Sequence, residues 1–425
     1  MLRTRAAPAA KHRRGVPGGH CRCCGTELVE TFADLGMTPL ANAFVAPERA
    51  HEPEAFFPLR ALVCSDCRLV QLPQMETQEA IFSDYLYFSS FSPSWLRHAE
   101  RFADRIVERL GLDSTTEVVE VASNDGYLLQ FFARRGIPVL GVDPAVNVVR
   151  VAEERGIPTE VAFFGAATAR RLRAAGHDPA LMVANNVLAH VPDLHDFLEG
   201  FRILLRAGGV ASMEFPHLLQ LVEQNQFDTI YHEHFSYLSL ATAEMLLAQH
   251  GLVLFDAEEI PTHGGSLRIY ARHAEDGSKP VTRAVERMRR QERDAGLGSA
   301  AVYREFAKGV VEAKCALLDF LVGARRAGQR VVGYGAPAKG NTLLNYCGIG
   351  PELLPFTVDA SPHKQGLLLP GTRIPIRAPE ALVEARPDFV LILPWNLREE
   401  IAEQLQEIRS WGGRFVVPIP TTEIF

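Results

Sequence analysis

The chain has 425 residues, 47% of them hydrophobic and 22% charged, with a formal net charge of −7. One hydrophobic core stops growing well below that length, so two or three domains are expected. The acidic balance gives the body no attraction for a polyanion such as nucleic acid, and apolar runs such as Phe389 to Leu393 are strand-sized, far short of a membrane span.

Residues 1–18 carry Arg3, Arg5, Lys11, Arg13 and Arg14 with no acid and none of the apolar stretch a secretory signal needs, which predicts a disordered basic tail. The cysteines point to the cytoplasm as well, because five of the seven lie between 21 and 67 in a spacing suited to metal rather than to disulfides. Residues 19–79 are therefore read as a zinc module. Cys21-x2-Cys24 and Cys64-x2-Cys67 each place two thiolates on a tight turn, and the two pairs together complete a tetrahedron. Cys23 could replace Cys24, but the two-residue spacing favours Cys21 and Cys24. Four thiolates leave no open position, so the metal is expected to be structural. A strand is expected at Arg60 to Val63, and a core this small needs the staple.

From 80 to 278 strands and helices alternate, with strands at Glu117 to Val121, Val139 to Val142, Leu181 to Ala184 and Val210 to Phe215, then an antiparallel pair at Leu252 to Phe255 and Leu267 to Ala271. The first strand runs into the small-residue turn Ala122-Ser-Asn124-Asp125-Gly126, and Asp143 ends the second strand, where doubly wound folds bind ribose hydroxyls. The turn lacks the G-x-G-x-x-G that a pyrophosphate wants, which favours S-adenosylmethionine over a dinucleotide. Glu120, Ala122, Asn124, Asp125, Gly126 and Asp143 are thus candidate donor ligands, and Asn185, Asn186 and His190 follow the third strand at the same edge. The last three could equally be caps of local turns.

Tyr231-His-Glu233-His234 packs base, acid and phenol chemistry into four residues, although a hydrogen-bonded surface loop reads the same way. Thr262-His263-Gly-Gly-Ser266-Leu-Arg268 offers an imidazole, a hydroxyl and a guanidinium to a cleft, or forms an ordinary hairpin. Residues 279–328 favour helix, with apolar positions Phe306, Val310, Val311, Ala313 and Leu317 near helical spacing, and read as a connector. Residues 329–425 form a further α/β unit with strands at Arg330 to Gly333, Phe356 to Val358 and Phe389 to Leu393. Its loop Gly333-x-Gly335-x4-Gly340, with Lys339, could cradle a diphosphate or serve only as a turn. Cys315 and Cys347 read as small buried apolar residues, and three self-contained modules predict a monomer.

The combination resembles the zinc-containing sugar C-methyltransferases of natural-product biosynthesis. It is carried by the four cysteines, Glu120-Val-Ala-Ser-Asn-Asp-Gly126, Tyr231 to His234, and Gly333-Tyr-Gly-Ala-Pro-Ala-Lys-Gly340; Ala122 stands where that family has glycine. The resemblance implies a class I S-adenosylmethionine-dependent Rossmann-like domain between the zinc module and a C-terminal Rossmann-like domain. It implies a thymidine-diphosphate 4-keto-6-deoxysugar methylated at C3, or at C5, beside the ketone. Carried onto this chain, His234 is the general base, Glu233 and Tyr231 orient the sugar or support the enolate, and His190 and Tyr85 assist. The phrase Tyr85 to Ser90 resembles the family's wall beside donor and sugar, which adds Ser89 to the donor ligands. His263, Ser266, Arg268, Tyr334, Lys339 and Asn341 are the implied substrate ligands. Two other functions fit parts of the pattern, a zinc-ribbon RNA methyltransferase and a nucleotide-sugar-binding scaffold that has lost catalysis. Acids across the zinc module (Glu27, Glu30, Asp34, Glu48, Glu52, Glu54) count against the first.

Overall fold

A computed structural model describes residues 19–75, 77–78, 88–91 and 93–425. The basic tail and Tyr85 lie outside the described residues. Three sheets organise the rest.

The largest sheet has seven strands in the order Leu252–Ile260, Ser266–His273, Val210–Pro216, Leu181–Asn185, Val118–Val121, Val139–Asp143, Thr159–Val161. The last five are parallel, and Ser266–His273 runs antiparallel to both its neighbours. Parallel strands are covered by helices on both faces, which is why Val118-Val-Glu-Val121 and Leu181-Met-Val-Ala184 are buried at every position. Their carboxyl ends share one edge, where such sheets bind ligands. Among the described residues no helix is long and apolar enough to cross a membrane.

The zinc module builds a four-stranded antiparallel sheet in the order Glu30–Thr38, Phe57–Val63, Val70–Gln71, Ser236–Tyr237. Its last strand comes from the methyltransferase region and begins two residues after His234, with Val70 opposite Tyr237 and Gln71 opposite Ser236. The C-terminal sheet has six strands, five of them parallel, in the order Ile376–Arg377, Thr357–Val358, Val331–Tyr334, Phe389–Ile392, Arg414–Val417, Glu423–Ile424.

The expectation of three self-contained cores is corrected by the packing. One apolar cluster runs from Phe32 and Leu59 of the zinc module through Leu218 and Ile230 to Tyr303, Val332 and Trp395. The region 279–328, expected to be a helical connector, is helical and also packs on the zinc module. It forms helices Arg283–Asp294 and Ala300–Arg326, and Phe306 stacks on Phe32 at 4.4 Å between ring centroids while Tyr303 meets Phe32 edge-on. The buried carboxylate of Glu292 accepts from the amides of Leu240 and Ala241, capping helix Leu240–Gln249, and from His217 Nε2. The buried stripe of the long helix is Tyr303, Phe306, Val310, Ala313, Leu317, Leu321 and Ala324. Val311 and Cys315 fall off that stripe and are exposed, contrary to expectation, whereas Cys347 is buried.

Candidate functional site

The donor edge is built where the Val118–Val121 and Leu181–Asn185 strands end side by side. Ala122, Asn124 and Asn186 all adopt left-handed backbone with φ of 53°, 51° and 56°. Non-glycine residues held there store strain, and such strain concentrates where a loop must present its backbone to a ligand. The carboxylate of Asp143 fixes the turn by accepting from the amides of Asn124 and Ala145, each at 2.9 Å. Ser89 donates its amide to Asn124 Oδ1, and Ser90 and Arg155 both hold the Asp125 carboxylate, so the segment at 88–91 closes onto the turn. Gly126 takes φ 75° and packs against Ile157.

Burial pushes the Glu120 carboxyl well above its ordinary value, and the neighbouring acids Asp143 and Asp125 add to the effect. Glu120 Oε2, Asn185 Oδ1 and Asn186 Oδ1 are buried acceptors with no protein partner. Unpaired acceptors at a strand edge, with three crowded carboxylates, fit a cationic ligand rich in donors. S-adenosylmethionine carries both a sulfonium and an ammonium, and it lacks the phosphate these acids would repel.

The base segment sits next to that edge. His190 follows the Leu181–Asn185 strand by five residues, and its Nδ1 donates to the carbonyl of Glu233 at 2.8 Å. Its ring lies 4.6 Å from that of His234, edge to face. His234 donates from Nδ1 to the Thr229 carbonyl at 3.0 Å, so the tautomer assigned from these partners leaves Nε2 with its lone pair, which the Tyr231 hydroxyl meets at 2.7 Å. Burial lowers the His234 pKa well below the usual imidazole value, with the neighbouring His190 adding to the shift, and lowers His190 to about 4. Both rings are therefore neutral near pH 7. Glu233 is buried, its Oε1 accepts from Asn42 Nδ2 at 2.7 Å, and burial raises its carboxyl to about 7. His232 points away, toward the Pro58 carbonyl.

The C-terminal sheet supplies the remaining wall. Trp395 donates its indole N–H to Asp228 Oδ2 at 2.7 Å, Lys339 lies 4.4 Å above the Trp395 ring and bonds Asn396 Oδ1, and burial lowers the lysine to about 8. Gly264 has no room for a Cβ, which would meet Trp395 at 2.6 Å. Asn341 donates to the Ala41 carbonyl and Thr342 to that of Ile230, so helix Ala338–Cys347 ties the zinc module to the base segment. Tyr334 ends the first strand of this sheet, half-buried. The loop after it offers less to an anion than its glycines suggest, because the Gly335 amide donates to Val358 and the Ala336 amide to Asp359. What remains is the first turn of helix Ala338–Cys347, which no side chain caps.

Besides Asn341, two further expected substrate ligands are engaged elsewhere. Arg268 is fully buried; it pairs with Glu214 at 2.6 Å and Glu258 at 2.9 Å, and lies over the Phe102 ring. Its guanidinium is thus occupied by two carboxylates inside the protein, where the sequence suggests a substrate ligand. Ser266 likewise closes a local turn by donating to the Thr262 carbonyl. His263 lies edge-on to Trp95 at 5.2 Å, and burial holds it near pKa 4.

The zinc ligands are brought together as the spacing required. The sulfurs of Cys21, Cys24, Cys64 and Cys67 all lie within 4.8 Å of one another, with Cys21–Cys67 at 3.4 Å and Cys24–Cys64 at 3.5 Å. Zinc at about 2.3 Å from each thiolate places sulfurs roughly 3.8 Å apart, so the cage fits that ion. Cys23 Sγ instead contacts Met245 Sδ. Arg22, Asn42, Asp228 and Trp395 were not found from sequence, because each acts through a partner more than a hundred residues away.

Comparison with known proteins agrees with this geometry. Residues 21–82 match a zinc binding domain, 95–256 a methyltransferase domain, and 261–420 a C-methyltransferase C-terminal domain. The C-methyltransferase NovU of Streptomyces niveus is 38% identical over 408 residues, covering 96% of this chain and 97% of that protein. The chain belongs to the zinc-containing, S-adenosylmethionine-dependent C-methyltransferase family. The enzyme is thus a C-methyltransferase that uses S-adenosylmethionine and a structural zinc. A ubiquinone biosynthesis O-methyltransferase of Methylobacterium sp. (strain 4-46) is 34% identical, over 22% of this C-methyltransferase and 38% of that protein. Among solved structures, the PH0226 protein of Pyrococcus horikoshii OT3 aligns with 47% of the chain and 99% of its own at 15% identity and TM-score 0.37. The CcbJ methyltransferase of Streptomyces caelestis aligns with 41% of this chain and 89% of its own at 13% identity and TM-score 0.33.

Proposed function

We propose that this C-methyltransferase methylates C3, beside the C4 ketone, of a thymidine-diphosphate 4-keto-6-deoxysugar in the building of a branched deoxysugar. The observation that carries the reading is the state of His234, neutral, buried and with its Nε2 lone pair facing the Tyr231 hydroxyl, next to His190 at the donor edge. A C–H bond next to a ketone yields to a base of that kind if the developing enolate oxygen is stabilised. The proton goes to Nε2, and the Thr229 carbonyl accepts from Nδ1–H of the resulting imidazolium. The protonated form of Glu233 is a donor available to the oxygen, and the Tyr231 hydroxyl becomes a second once it yields Nε2 to the incoming proton. His190 holds the backbone of Glu233 and so orients both. Bound S-adenosylmethionine would supply a methyl group on a cationic sulfur, an electrophile for such a carbon nucleophile, with the neutral thioether S-adenosylhomocysteine as leaving group.

The C-terminal domain is inferred to receive the nucleotide, with Tyr334, Lys339 and the uncapped turn at Ala338 beside the diphosphate. In heavy water with S-adenosylhomocysteine in place of the donor, the enzyme should exchange the α proton of the keto sugar, and NMR of the product should place the new methyl on C3. Absence of exchange counts against base catalysis; exchange with the methyl on C5 would move the position and keep the chemistry.

A further inference from the structure

The zinc knuckle reaches the base segment through the side chain of Arg22. Arg22 lies between ligands Cys21 and Cys24, its amide donates to Gln71 Oε1 at 3.0 Å, and Gln71 Nε2 donates back to Cys21 Sγ at 3.1 Å. Its guanidinium donates to the carbonyl of Phe235, the residue after His234, to the Leu72 carbonyl at 2.8 Å and to Ser236 Oγ at 3.4 Å. The Phe235 carbonyl also accepts the Leu72 amide at 3.0 Å, so two donors fix it. Zinc held by four thiolates is dianionic overall, which favours a cation at this place in the knuckle.

We propose that Arg22 is a positioning residue for the methyl-transfer reaction, strapping the carbonyl next to His234 to the zinc knuckle so that the order of the base segment depends on the metal. The strap sets where the imidazole stands, because Ser236–Tyr237 is only a two-residue strand and pairs with the zinc module alone. A strand that short has too few ladder bonds to hold its register unaided. The reading of His234 as base is assumed for the catalytic consequence, but not for the structural one.

The test is Arg22→Met in the full chain, with Arg22→Lys beside it. Zinc content and calorimetric affinity for S-adenosylmethionine should stay as in the parent, since neither ligand set includes Arg22. Amides of Phe235, Ser236 and Tyr237 should exchange with heavy water at least about tenfold faster, and kcat should fall roughly 10- to 100-fold with the KM for donor unchanged. Lysine, with one point charge in place of a fork, should restore the rate only in part. Removing zinc from the parent should speed exchange at the same three amides, and less so in Arg22→Met. Unchanged exchange there, or a loss of rate that merely follows lost zinc, overturns the strap. Faster exchange with full turnover overturns the positioning role, whereas failure of His234 as base is read separately, from full turnover in His234→Gln.

Discussion

The hydroxyl of Tyr231 stands 2.7 Å from Nε2 of His234, three residues further along the chain, with the two rings 4.0 Å apart. Because Nδ1 of the same imidazole is committed to the Thr229 carbonyl, this phenol marks the one basic nitrogen of the ring. Replacing His234 by Gln keeps a polar group of similar reach but removes the titratable lone pair. Turnover and α-proton exchange should each fall by about a hundred- to ten-thousand-fold. Affinity for S-adenosylmethionine, measured by calorimetry, should be unchanged.

Acidification should destabilise the enzyme over a defined window. His190 and His263 are held near pKa 4 against an unfolded value of 6.5, and His234 is shifted in the same direction. A depressed folded pKa means the unfolded chain binds more protons between the two values, so stability is present above pH 6.5 and is lost as pH falls toward 4. Glu233 runs the other way. Its folded value is raised to about 7, so its contribution is present below the unfolded value and is lost as pH rises through 7. Denaturant titrations at half-unit pH steps should show the acid limb, and His263→Asn should reduce the proton uptake on unfolding by up to one.

Much of the fold is legible in the sequence for a physical reason. The parallel strands are buried on both faces, and so write themselves as unbroken apolar runs such as Phe389 to Ile392. The zinc ligands are equally plain, because tetrahedral thiolate chemistry demands local pairs. Asn42, Asp228 and Trp395 leave no local mark, since an amide or an indole acquires its role only from a partner brought close by folding. The Cys315 and Val311 expectations failed for a related reason. Apolar character tells which residues can be buried, while the phase of a long helix decides which are.

Ala122 occupies a left-handed position, φ 53°, in the turn after the Val118–Val121 strand. A Cβ in that conformation costs about 1 kcal/mol relative to glycine. Ala122→Gly should therefore raise stability by up to about that amount, read as a higher denaturant midpoint with an unchanged slope. Ala122→Val should lower it and weaken S-adenosylmethionine binding, because a branched side chain is excluded from that region.

Arg268 and Glu214 provide the sharpest separation of structural from ligand-binding roles. Both side chains are fully buried, and the guanidinium, together with His98, holds the Glu214 carboxyl down to about 2 against the raising effect of burial. Arg268→Met would leave that carboxylate buried with only His98 and the Thr262 hydroxyl as partners. Removing one partner of a buried pair costs about 3–5 kcal/mol, whereas replacing both by apolar groups of like volume is often near neutral. The single variant should thus be strongly destabilised in chemical denaturation, and Arg268→Met combined with Glu214→Leu should recover much of the loss. A ligand-binding arginine would behave oppositely. Its removal would raise the KM for the keto sugar at constant stability, and the second substitution would restore nothing.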